Sequence, residues 1–284
     1  MIIKNLLLTM RPKQWYKNFV IFIALIFSYN LFDYHKLLYS IYAFLIFCLL
    51  SGSVYIVNDI IDRKKDSLHP KKKNRPIASG KLGIQSAMIS LILILGLSLA
   101  SAFKINKEFG YISLIYFLLF ILYSLILKNI VIVDVLTIAI GFVIRAIAGA
   151  IAISVMFSSW LVICTFSIAI FLGLGKRRHE IILLGDDAKN HRKILKEYST
   201  EVLDQMLTIA TGFSIISYSM YTFLAGHYYM MITIPIMVYG TFRYLFLIHN
   251  RNIGGEPEML FKDKGIIVSI VLWGFIVIGI LYLK

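Results

Sequence analysis

Residues 36–66 read KLLYSIYAFLIFCLLSGSVYIVNDIIDRKKD, a long run of apolar and small residues that gives way, at 58–66, to three aspartates among three bases. A hydrocarbon core about 30 Å thick is crossed by roughly 20 helical residues, each rising about 1.5 Å. The stretch is therefore a membrane span that carries carboxylates to one interface. Working outward, the same apolar texture recurs along the chain, at 18–33, 84–104, 110–127, 130–153, 158–175, 202–226, 228–248 and 265–283. Of the 284 residues, 59% are hydrophobic and 15% charged, and the mean hydropathy is +0.81. The expected fold class is an all-α membrane protein, a bundle of nine transmembrane helices with a polar site on the cytoplasmic side. Long apolar runs without alternation argue against a β-barrel, and Cys48 and Cys164, both inside apolar runs, read as core residues rather than a disulfide.

Orientation follows from the bases. The amino-terminal segment holds Lys4, Arg11, Lys13 and Lys17, the second connection holds eight Lys and Arg between Arg63 and Lys81, and the sixth holds seven between Lys176 and Lys196. The alternate connections are short and carry only Lys36, Lys104 and Lys107. The positive-inside rule then places the amino terminus and long loops in the cytoplasm, and nine spans place the carboxyl terminus outside, in a multi-pass protein of the cell membrane. The first apolar stretch follows bases as a signal peptide would, but no small-residue cleavage site follows Tyr29-Asn30-Leu31, so it reads as a retained helix. Topology and attraction to anionic lipid account for the net charge of +14, and no nucleic-acid module is present.

Topology gives no reason to place acids among these bases. If the second span continues past the interface as helix, Asp59, Asp62 and Asp66 fall at i, i+3 and i+7 on one face. Such carboxylates repel unless a cation lies between them, and hard oxygen ligands suit Mg2+, which completes its shell with water and substrate phosphate. Arg75, with Lys71, Lys72 and Lys73, is placed to hold phosphate oxygens. The other reading of this spacing is a solvated juxtamembrane face of ion pairs. In the fifth span, Asp134 and Arg145 stand eleven residues apart on one face, roughly 16 Å along the axis. An ionisable residue this deep usually faces a cavity, so Arg145 points to a substrate phosphate or a buried partner acid, and Ala146, Ala148, Gly149 and Ala150 permit close helix approach.

The pattern Asn58-Asp59-x-x-Asp62-x-x-x-Asp66, followed by Asn74-Arg75-Pro76-Ile77-Ala78-Ser79-Gly80, resembles the first aspartate motif of the UbiA superfamily of intramembrane prenyltransferases. The stretches Arg11–Asn18, Lys176–Glu180 and Gly254–Glu258 look like the decaprenyl-phosphate phosphoribosyltransferase branch. The resemblance covers nearly the whole chain and implies a single UbiA-type transmembrane domain over 1–284. It also implies Mg2+ as cofactor, phosphoribosyl diphosphate as donor and a polyprenyl phosphate as acceptor. With the charge and depth arguments above, it points to Asn58, Asp59 and Asp62 for catalysis, Asp59, Asp62 and Asp66 for metal, Glu180 for a metal or a ribose hydroxyl, and Lys17, Asn18, Arg75, Arg145, Lys176, Arg177 and Arg178 for substrate phosphates.

One departure matters. Ordinary members carry a second DxxxD motif on the sixth connection, where this chain has Lys-Arg-Arg-His-Glu at 176–180 and Asp186-Asp187 further on. That favours a donor with an extra phosphate over an ordinary prenyl diphosphate, and Asp186 and Asp187 read as solvated. The proposed acceptor is a phosphate ionised at neutral pH, so no general base is needed, and His69, His179 and His191 are not expected to act directly. Prenyl transfer to an aromatic acceptor is the alternative on the same fold, and a lipid transporter the alternative outside enzymes. Loop-borne rather than midplane charges count against transport. Lipid length, downstream pathway and a homo-oligomeric state are left open.

Overall fold

The computed structural model describes residues 2–69, 72–184, 194, 197–224, 228–251 and 263–283. Asp186, Asp187, His191, Lys71 and the stretch Gly254–Glu258 lie outside the described residues. The helices are α1 (Ile2–Met10), α2 (Phe22–Phe27), α3 (Tyr34–Ile61), α4 (Arg63–Ser67), α5 (Ile84–Ile105) and α6 (Lys107–Leu125). There follow α7 (Val133–Ala152), α8 (Ser159–Leu184), α9 (Thr200–Leu224), α10 (Ile234–Arg251) and α11 (Lys264–Tyr282). No strand occurs among the described residues.

Eight of these segments are long and apolar enough to cross a membrane: α3, α5 to α9, α11, and Tyr228–Asn250, which joins a 3-10 turn to α10. The chain is a multi-pass membrane protein. The expected count of nine differs at the first span, which is not one long helix. Pro12–Ile21 is a 3-10 helix, α2 adds six residues, and Tyr29 turns the chain at φ 60°. A reason lies in Asn18, whose buried side chain is drawn inward by polar partners of α3 and α7. Within the span Tyr228–Asn250, Pro235 occupies the second residue of α10. There its missing N–H would have had no helical partner anyway.

The chain forms two compact units. The first comprises Met1–Leu127 with Ile144–Met156, and the second Lys128–Val143 with Phe157–Lys284, so α7 contributes to both. In the first unit Phe47 and Leu50 of α3 pack with Phe109 and Tyr116 of α6 and with Ile144 and Ala148 of α7. Lipid is as apolar as these side chains, so close packing and hydrogen bonds must hold the helices together. Gly149 shows how close: a Cβ there would run into the main-chain carbonyl oxygen of Ile21. In the second unit Phe171 and Leu174 of α8 pack with Leu203 and Leu207 of α9 and with Tyr244 and Leu247 of α10. Side-chain caps start the helices, Asp33 accepting from the Lys36 N–H at 3.1 Å and Asn106 from the Phe109 N–H at 2.7 Å.

A correction concerns the aspartate stripe. Helix α3 ends at Ile61 and Asp62 forms its C-cap, with α4 starting at Arg63. The three aspartates are therefore not carried by one continuous helix. The Asp62 carbonyl nevertheless accepts the Asp66 N–H at 2.8 Å with helical spacing, and Asp59 and Asp66 meet a common partner.

Candidate functional site

In the first unit that partner is Arg75. Its Nη1 lies 3.1 Å from Oδ1 of Asp59 and 2.6 Å from Oδ2 of Asp66. Both aspartates are buried, whereas the Arg75 side chain is 25% exposed. Arg11 adds a second guanidinium, with Nη2 2.5 Å from the same Asp59 oxygen and its plane over the Tyr55 ring at 4.5 Å. Arg11 takes a left-handed backbone, φ 53°, uncommon for a residue with a Cβ. It precedes Pro12, a position that disfavours ordinary helix. Asn58, one residue before Asp59, is half-buried, and its carbonyl accepts the Asp62 N–H at 2.9 Å. Carboxylate oxygens from two chain segments thus converge on a single cationic nitrogen. Carboxylate oxygens are the donor type that Mg2+ takes, while among the described residues no three His, Cys, Asp or Glu lie together closely enough to hold a metal ion. Sequence reasoning used Arg11 only for orientation and for the family resemblance; its place next to a proline was the available signal for more.

Deeper in the same unit, Arg145 of α7 is buried. Its Nε donates to Oδ1 of Asn18 at 2.8 Å and its Nη2 to the Tyr116 hydroxyl at 2.6 Å, with the guanidinium 4.8 Å from the centre of that ring. The Asn18 amide in turn donates to Sγ of Cys48 and Oγ of Ser51, each at 3.3 Å. Asn18 and Arg145, picked out separately in the sequence, are neighbours here. Tyr116 was missed, since a lone tyrosine in an apolar run carries no signal. The Lys17 ammonium lies 5.9 Å from the Tyr16 ring centre.

The second unit gathers a different set. Arg177 of α8 donates from Nε to Oδ2 of Asp134 at 2.6 Å and from Nη1 to Oε2 of Glu180, three residues on. Arg178 pairs with Asp204 of α9, which His249 Nε2 also reaches at 3.2 Å. Lys176 stands on α8 just before this pair. The Tyr198 hydroxyl donates to Oδ1 of Asp134 at 3.3 Å and accepts the Ile132 N–H at 2.7 Å. Ile132 has φ 67°, a costly conformation for a β-branched residue, and the Tyr198 contact supports it. Burial first, and then the Asp134 charge, push the Tyr198 phenol up to about 12. Tyr198 is thus a polar partner of Asp134 and Asp204 one of Arg178, and neither stands out in the sequence. Their partners are distant in sequence, so no local motif marks them.

This helical membrane fold has counterparts. The sequence model of the UbiA prenyltransferase family matches residues 18–262. The chain belongs to that family. Among relatives in the family, decaprenyl-phosphate phosphoribosyltransferase of Corynebacterium glutamicum is 27% identical over 285 residues, covering 96% of this chain and 86% of that one. The enzyme of the same description from Mycolicibacterium smegmatis is 27% identical over 290 residues, covering 96% and 91%. A UbiA homologue from Archaeoglobus fulgidus, solved with DMAPP and Mg2+, superposes with a TM-score of 0.74 at 21% identity, covering 97% of this chain and 99% of that one. At that identity the likeness establishes the shared UbiA fold.

Proposed function

We propose that this UbiA-family protein transfers a 5-phosphoribosyl group from phosphoribosyl diphosphate to a polyprenyl phosphate, with Mg2+, releasing diphosphate. The observation that carries the reading is the convergence of Asp59 and Asp66 on one cation at Arg75. The substrates are suggested by relatives described as decaprenyl-phosphate phosphoribosyltransferases that match almost end to end. Asp59, Asp62 and Asp66 would hold the ion, with Asn58 beside them. Bound there, a divalent cation would neutralise charge developing on the leaving diphosphate. Arg75 and Arg11, rim guanidinium groups on the aspartates, are suited to move onto phosphate oxygens. Diphosphate leaves the anomeric carbon as an acceptor phosphate oxygen, already ionised, attacks it, so this chain need supply no base. Arg145, with Asn18 and Tyr116 fixing its plane, is proposed as a phosphate contact, as is Lys17. Lys176 is assigned to a phosphate of the donor, with Arg177 and Arg178 beside it on α8 engaging Asp134, Glu180 and Asp204, and Glu180 acts through Arg177.

The amino terminus and basic loops are proposed to face the cytoplasm of a plasma membrane. Incubation of the purified protein with labelled phosphoribosyl diphosphate and polyprenyl phosphate tests the reaction, with a labelled lipid and free diphosphate as the expected products. Structures of the Archaeoglobus homologue with DMAPP or GPP and Mg2+ favour a second reading, prenyl transfer. Turnover of a prenyl diphosphate with an aromatic acid, and none with the ribosyl donor, would select it.

A further inference from the structure

Each unit places an arginine between two carboxylates, and the two arrangements differ in one respect that decides their chemistry. At Asp59 and Asp66 the bridging Arg75 side chain is 25% exposed and the neighbouring Arg11 28%. Both can swing into solvent and surrender the carboxylates to another cation. At Asp134 and Glu180 the bridging Arg177 side chain is 3% exposed. From this difference we infer that Arg177 is a built-in cation, taking between Asp134 and Glu180 the place of a second divalent ion, so that no divalent ion binds there in the native protein. The inference deepens the proposed reaction and rests on it for the use of a divalent ion at Asp59 and Asp66.

The local chemistry supports this. Asp134 is fully buried in the first turn of α7, and both of its oxygens already face donors of the chain, Arg177 Nε on Oδ2 and the Tyr198 hydroxyl on Oδ1. Glu180 reaches Arg177 from the next turn of α8, where residues three apart are neighbours. One guanidinium thus joins carboxylates from two helices, as a bridging metal does, but it is covalently tethered and has fixed donor directions. A guanidinium does not give up its proton in proteins, so it cannot make room for a metal by becoming neutral. Moving it aside would strand a buried charge, which is strongly unfavourable. The adjacent Arg178 engages Asp204 in the same manner, so three carboxylates of this unit are met by two arginines of α8.

The test counts Mn2+ bound to the full-length protein in detergent, from the loss of the free-ion electron paramagnetic resonance signal as Mn2+ alone is added. Arg177→Met, which removes the charge and keeps most of the volume, should bind one ion more than the wild type, while Arg177→Lys should bind no more than the wild type. A folded Arg177→Met protein with the wild-type count would overturn the inference. If Arg177→Met does not fold, Glu180→Gln in the otherwise native chain decides. An unchanged count supports the inference, and loss of an ion overturns it. The Asp59→Asn/Asp66→Asn protein is counted alongside. Should it keep the wild-type count, the metal reading of the first unit fails, while the gain or absence of an ion in Arg177→Met still decides the role of Arg177.

Discussion

Nε of Arg177 lies 2.6 Å from Oδ2 of Asp134, with both side chains almost wholly enclosed. Enclosed partners of this kind are costly to separate, because removing one leaves the other charged and poorly solvated. Asp134→Asn should therefore lower the stability of the protein in detergent by about 3 kcal/mol, seen as a drop in the thermal unfolding midpoint. The double variant Asp134→Asn/Arg177→Met should lose less than the sum of the two single changes. Strict additivity would show that the pair is not coupled.

The carboxylates on Arg75 give a prediction about activity. Asp59→Asn and Asp66→Asn should each lower turnover at saturating Mg2+ by about a hundredfold or more, the scale of losing stabilisation of a developing charge. Each protein should still elute from size exclusion as the wild type does. Near-normal turnover in either variant would remove that aspartate from the metal set.

How far the site was legible in the sequence depended on distance along the chain. The aspartates and Arg75 lie within seventeen residues of one another and form a readable motif, whereas Asp134 meets Arg177 across 43 intervening steps of sequence and Tyr198 across 64. Apolar run length marked the helices, since each must match the bilayer. It misjudged the first span because Asn18, polar and buried, serves Arg145, a role set by a residue 127 positions away. The break at Asp62 carries no local signal either, since no proline or glycine stands there.

Tyr198 sets an alkaline limit. Its hydroxyl is held protonated to about pH 12 in the folded protein, against an ordinary phenol value of about 10. The folded-state value is the raised one, so this contribution to stability is fully present below pH 10 and is lost as pH rises toward 12. Unfolding midpoints measured across that window should fall, and Tyr198→Phe should fall less steeply while starting from a lower value at neutral pH, because Ile132 loses its acceptor. An identical slope in the variant would assign the alkaline loss to other groups.

The broken first segment is still long enough to cross. Ten 3-10 residues at about 2.0 Å each and six α-helical residues at about 1.5 Å give about 29 Å, close to the thickness of the hydrocarbon core. Reporters fused at the amino terminus should accordingly lie in the cytoplasm and reporters fused after Lys284 outside it. Finding both termini on one side would mean that Pro12–Phe27 enters the membrane without traversing it and that only the eight long helices span.

The last prediction separates ribosyl from prenyl transfer, because the two donors make different demands on the second unit. A prenyl diphosphate ends in one diphosphate and an apolar tail, whereas phosphoribosyl diphosphate bears a further phosphate on its sugar, and that phosphate needs a cation of its own. Arg177 and Arg178 engage Asp134, Glu180 and Asp204, and Lys176, next to them on α8, is proposed as the cation that meets it. Lys176→Ala should raise the KM for phosphoribosyl diphosphate by about 10–100-fold, as expected for losing one charge-assisted contact of about 1.5–3 kcal/mol. The KM for polyprenyl phosphate should change far less, with diphosphate release followed while each substrate is varied in turn. Arg145→Lys supplies the contrast, since an ammonium keeps the charge but loses the fork that Asn18 and Tyr116 orient. Its larger effect should fall on the polyprenyl phosphate. If both variants raise both constants equally, neither residue distinguishes donor from acceptor, and the assignment of phosphates to these two cations fails.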